Sequence, residues 1–135
     1  LRSSIVPINR SYPLIDLLAA CKRFSEARDG DAITIEYVML NGINDSVRDA
    51  RDLVNCLQGL PSKVNLIPFN KFPGTNYTCS DMNTINAFRD ILMKAGIFTI
   101  TRKTRGDDID AACGQLVGKV ASKSARYRMQ KAEMI

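Results

Sequence analysis

The chain has 135 residues, 45% hydrophobic and 24% charged, with a formal net charge of +5, four cysteines and no histidine. This composition suits one globular domain, or part of one, and excludes both a disordered chain and a disulfide scaffold. The missing histidine removes Ser-His-Asp and Cys-His catalysis, and no uninterrupted apolar run approaches the roughly 18 residues that span a bilayer, so no membrane association is expected.

The first residue is Leu1, and LRSSIVPINR carries neither a charged-then-apolar leader nor a small-residue cleavage site, so the sequence reads as a piece of a longer cytoplasmic protein. After Ser11 and Pro13, Leu14, Leu17, Leu18, Cys21 and Phe24 recur at steps of three and four, which predicts an amphipathic helix over residues 12 to 28 with Cys21 in its core face. Gly30 ends it. AITIEYVML, residues 32 to 40, is rich in β-branched and aromatic side chains and predicts a strand. NGIND then supplies a turn, with Asn44 or Asp45 expected to cap a second helix built on Val47, Ala50, Val54 and Leu57 and closed by Gly59.

KVNLIPF, residues 63 to 69, predicts a second strand stopped by Pro68, and NKFPGTNYTC a long functional loop. Ser80 is expected to cap a third helix with Ile85, Phe88, Leu92 and Ala95 on one side, and IFTITRK, residues 97 to 103, to form a third strand. Helices alternating with strands, over connections too long for hairpins, predict an α/β fold whose parallel sheet is built by right-handed crossovers. Three strands leave that sheet incomplete, because the first helix should follow a strand that precedes Leu1.

Ligands of parallel sheets gather beyond the carboxyl ends of the strands, which directs attention to the loops after Leu40, Phe69 and Lys103. Asn41 and Asp45 are expected to serve only turn and cap. Asn70, just past a strand end, has an amide that could read a purine or ribose edge through donor and acceptor together. The excess positive charge is C-terminal: residues 1 to 67 carry eight Lys/Arg against eight Asp/Glu, and residues 68 to 135 carry eleven against six. Such a tail can contact phosphates, or simply be a solvated basic helix end. Cys21, Cys56, Cys79 and Cys113 are spaced too widely for a zinc or redox motif and are expected to be reduced, with no metal ligands in this stretch.

The stretch RKTRGDDIDAACGQL, residues 102 to 116, sets a thiol after three cations and three acids. Together with ITIEYVMLNGIND and VNLIPFNKFPG it resembles the C-terminal half of the RlmN family of radical S-adenosylmethionine enzymes, and the similarity runs from IVPIN to the basic tail. The resemblance implies the C-terminal part of a partial parallel (β/α) barrel of the radical SAM type. Residues 1 to 112 would be the barrel portion, and 113 to 135 the cysteine loop and basic tail.

It further implies methylation of adenine C2 in 23S ribosomal RNA and transfer RNA. S-adenosylmethionine and a [4Fe-4S] cluster would be the cofactors, and the full-length enzyme would be a monomer. Cys113 matches the cysteine that first accepts a methyl group; a 5′-deoxyadenosyl radical then removes hydrogen from it, the methylene adds to the base, and a second cysteine resolves the adduct as a disulfide. Sulfur combines nucleophile, radical support and leaving group as serine cannot.

Asn70 matches a residue that contacts S-adenosylmethionine. Arg102, Lys103 and Arg105 either bind RNA phosphate or favour the thiolate, while Asp107, Asp108 and Asp110 would disfavour it. The CxxxCxxC cluster motif does not occur in this sequence, so the chain alone is expected to be inert. Two alternatives stand beside this reading: a sister family that methylates adenine C8, and a stand-alone α/β RNA-binding module with structural thiols.

Overall fold

The computed structural model describes residues 1 to 103. Along the chain lie helix α1 (Arg2–Ile5), a 3-10 turn (Pro7–Arg10), α2 (Leu14–Glu26), strand β1 (Ile33–Met39), α3 (Val47–Cys56), β2 (Ser62–Pro68), α4 (Met82–Lys94) and β3 (Phe98–Thr101). The three strands form one parallel sheet in the order β1-β2-β3. Register places Ile33 opposite Ser62 and Met39 opposite Pro68, then Lys63 opposite Phe98 and Leu66 opposite Thr101. Pro68 closes β2 as its last residue, a position where the missing N–H costs no ladder bond to the strand interior.

One face of the sheet carries the core. Val64, Leu66 and Met39 point to the side where Phe88, Ile85 and Leu92 of α4 and Ala50 and Leu57 beside α3 close over them. Tyr37 adds a tilted ring contact with Phe88 at 5.1 Å between centroids. The opposite face is open: Thr34, Glu36 and Val38 of β1, and Phe98 and Ile100 of β3, are exposed. The strands thus alternate in burial, with the apolar Val38 and Ile100 on the exposed face.

Helix α2 shows the same incompleteness. Its stripe follows the expected spacing, yet only Leu18 and Cys21 pack against the core, while Leu14, Leu17 and Phe24 stay 41 to 54% exposed. A concavity of about 500 Å³ between α2, β1 and α3, lined by Leu14, Leu18, Cys21, Ile35, Tyr37 and Leu53, records that loose seating.

Helix ends correct two expectations. The cap of α3 is Ser46, neither Asn44 nor Asp45: Ser46 Oγ accepts from Asp49 N at 3.1 Å and Asp49 Oδ2 accepts from Ser46 N at 3.0 Å, a reciprocal capping box. Asp81, not Ser80, caps α4, accepting from Thr84 N at 2.7 Å. In both places several oxygen-bearing side chains compete, and the one whose backbone turns extended immediately before the helix wins. Cys21 is half-buried beside the core, and Cys56 and Cys79 are exposed; all three are free thiols.

Phe88 is 1% exposed at the centre of the cluster, so Phe88→Ala is expected to lower the unfolding free energy by about 3 to 5 kcal/mol. Urea melts of the two proteins followed by far-ultraviolet circular dichroism check this, and a loss below about 1 kcal/mol would place the core elsewhere.

Candidate functional site

All three strands are parallel, so their carboxyl ends share one edge and the loops that leave them are neighbours. At this edge Phe69 N donates to Met39 O at 3.2 Å and Arg102 N to Leu66 O at 2.8 Å, which continues the ladder one step beyond the strands. Asn70 follows directly and is exposed, as are Arg102 and Lys103 past the end of β3. The structure therefore brings Asn70, Arg102 and Lys103 to one edge, as the sequence led one to expect. Cys113 and Arg105 lie outside the described residues.

The loop after β1 is a turn held by side chains. Gly42 takes φ +68°, a conformation that only glycine adopts without strain, and its N–H is captured by Asp45 Oδ1 at 3.0 Å. Asn44 closes the other side, accepting from Leu40 N at 2.7 Å and donating to Val38 O at 2.9 Å. Asn44 O in turn accepts from the Tyr37 hydroxyl at 2.7 Å. Burial, and then the carboxylates of Asp49, Asp45 and Asp52, push the Tyr37 phenol far above its ordinary value, so it stays a donor throughout the physiological range.

The loop after β2 returns to this turn. Asn41 N donates to Thr78 O at 3.0 Å and Asn41 Nδ2 to Thr78 Oγ1 at 3.2 Å. Ser80 Oγ donates to Asp45 Oδ2 at 2.7 Å, and both residues are buried, at 4 and 8% exposure. Inside the loop Phe69 meets Phe72 and Tyr77, each at 5.9 Å between ring centroids. Asn41 and Asp45 thus do more than the turn-and-cap role expected of them. No spacing signal in the sequence links positions 41 with 78 or 45 with 80; the contacts arise only once the parallel register has set the two loops side by side.

Cys79 lies at the end of this loop, its thiol pushed up by burial and donating to Ser80 O at 3.3 Å, which makes it a poor nucleophile at neutral pH. Among the described residues no group of three or more Cys, Asp or Glu side chains could hold a metal ion. Cys21, Cys56 and Cys79 stand on separate elements, so they do not fit an iron-sulfur cluster, which needs three thiolates at one point. Asn70 presents an exposed side-chain amide, donor and acceptor together, just beyond the end of β2. No helix among the described residues is long and apolar enough to cross a membrane.

Parallel strands alternating with helices, open on one face and with polar loops at one edge, define an α/β fold with a parallel sheet. No protein-family model matches the chain. Among solved structures, it superimposes on a radical SAM methyltransferase from Sphaerobacter thermophilus with a TM-score of 0.78 and 46% sequence identity. The match covers 84% of this chain and 33% of the other, so the chain spans about a third of that protein's length. The fold is accordingly that of a section of a radical SAM methyltransferase.

Tyr37 offers a check on the turn. A phenol whose folded-state pKa is raised stabilises the fold below its ordinary value of 10.0, and that contribution is lost as the pH rises past it, because the unfolded chain deprotonates first. Tyr37→Phe is therefore expected to cost about 1 kcal/mol at neutral pH. Above pH 10.0 the unfolding free energy of the unmodified chain should fall more steeply than that of the variant. Parallel pH dependences in denaturant titrations would remove Tyr37 from this role.

Proposed function

We propose that this chain is the C-terminal portion of a radical SAM RNA methyltransferase that methylates adenine C2 in 23S ribosomal RNA and transfer RNA, with Cys113 as the methyl carrier. The observation that carries the proposal is the 46% identity with a radical SAM methyltransferase over 84% of the chain, joined to the motif RKTRGDDIDAACGQL. The arrangement of the described residues supports it. Asn70 stands at the strand edge where a nucleoside cofactor binds in parallel α/β folds, and exposed Arg102 and Lys103 lie on that edge as contacts for RNA phosphate.

Within this reading each group has a distinct duty. Asn70 orients S-adenosylmethionine through its amide. Cys113, as thiolate, attacks the cofactor's methyl carbon and becomes a thioether; the sulfur gains the methyl and S-adenosylhomocysteine leaves. An iron-sulfur cluster, whose CxxxCxxC motif does not occur in this sequence, would supply the electron for radical formation from a second S-adenosylmethionine. Arg102, Lys103 and Arg105 hold the RNA backbone. The protein acts in the cytoplasm, where its thiols stay reduced.

Exchanging this chain for the matching segment of the Sphaerobacter thermophilus enzyme gives a protein in which the proposal can be tested. RNA treated with it is expected to yield 2-methyladenosine on nucleoside digestion and mass spectrometry. Cys113→Ala should lower that yield by roughly 10³-fold or more, the scale on which enzymes lose activity with their nucleophile. Asn70→Ala should weaken S-adenosylmethionine binding about tenfold. Product at adenine C8 would transfer the chain to the sister activity, and a soluble chimera that methylates no RNA would sink the assignment.

A further inference from the structure

The loop between β2 and α4 is tied at its start to the last residue of β1 and at its finish to the turn that follows, and one of its anchors is a buried polar pair. At its start Phe69 N donates to Met39 O at 3.2 Å. At its finish Thr78 accepts twice from Asn41, at 3.0 and 3.2 Å, and Ser80 Oγ donates to Asp45 Oδ2 at 2.7 Å. The residues between, including Asn70, Lys71, Gly74 and Asn76, are exposed. Within the loop Phe69 and Tyr77 are half-buried and in ring contact, and Phe72, itself exposed, meets Phe69.

A buried carboxylate and a buried hydroxyl are costly unless each is satisfied, and here each satisfies the other across 35 residues of sequence. Asp45 is also committed through its second oxygen, which holds Gly42 N at 3.0 Å. One side chain therefore fixes the turn after β1 and clamps the far end of the next loop. We infer that Asp45 and Ser80 are positioning residues: their hydrogen bond holds the 69–80 loop in a single shape and so fixes where Asn70 is presented. The role of the loop rests on the cofactor reading above only in what Asn70 binds, not in how it is held.

The pair has a direction that dictates its variants. Ser80 is the donor and Asp45 the acceptor at both carboxylate oxygens. Asp45→Asn keeps one acceptor for Gly42 N and offers an amide that Ser80 Oγ can accept from, so it preserves the connection with the Ser80 partner reversed. Asp45→Ala and Ser80→Ala each remove it, and each leaves a buried polar group unpaired.

Trypsin reads the result directly on the 135-residue chain, because Lys71 is exposed within the loop and is followed by Phe72. Cleavage after Lys71 is expected to accelerate roughly tenfold in Asp45→Ala and in Ser80→Ala. Cleavage after Lys22 in α2 and Lys94 in α4 should stay near the unmodified rate. The double variant should be no faster than Asp45→Ala, which already removes the bond that Ser80→Ala removes, and Asp45→Asn should stay close to the unmodified protein. The inference is overturned if cleavage after Lys71 rises no more than at the two helical sites, or if the two alanine effects simply add.

S-adenosylmethionine provides a separate arm. If the cofactor slows cleavage after Lys71 in the unmodified chain but not in Asn70→Ala, the Asn70 reading holds; if it slows neither, that reading fails while the digestion still decides whether Asp45 and Ser80 hold the loop.

Discussion

Strand β2 is the constraint on which the described structure depends. It is the one strand paired on both edges, with seven residues in register with β1 and four with β3. Its inward side chains, Val64 and Leu66, are fully buried against α4. Because both pairings are parallel, each return to the sheet must cross over through a helix, and α3 and α4 both land on the same face. The parallel direction collects the loops that follow the strands at one edge, and the seating of both helices on one face leaves the other face of the sheet exposed among the described residues.

Much of this was legible in residue order. The period of three and four in Ile85, Phe88 and Leu92 marked the buried stripe of α4, and the β-branched run in ITIEYVM marked β1. Alternation was less visible in β1, where Val38 is apolar on the exposed face and interrupts the polar period. Helix starts were misplaced by one or two residues wherever Asn, Asp and Ser stood in succession. In NDS and SD any of the side chains has the chemistry to cap, and only the backbone at Ser46 and Asp81 selects between them.

The site divides in the same way. Asn70, Arg102 and Lys103 could be placed at the carboxyl edge from strand ends alone, since in a parallel sheet position along the strand fixes position in space. The bonds from Asn41 to Thr78 and from Asp45 to Ser80 could not, because they join side chains 37 and 35 residues apart and have no periodic signature. The role of Cys113 was carried by motif rather than by period: an acid-rich, glycine-marked segment offers no hydrophobic pattern from which a thiol's surroundings follow.

The bonds that close the 69–80 loop come from the last residue of β1, Met39, and from Asn41 and Asp45 in the turn that follows it. A substitution at Asn41 or Asp45 is therefore felt in an arch whose far end lies 37 and 35 residues further along the chain.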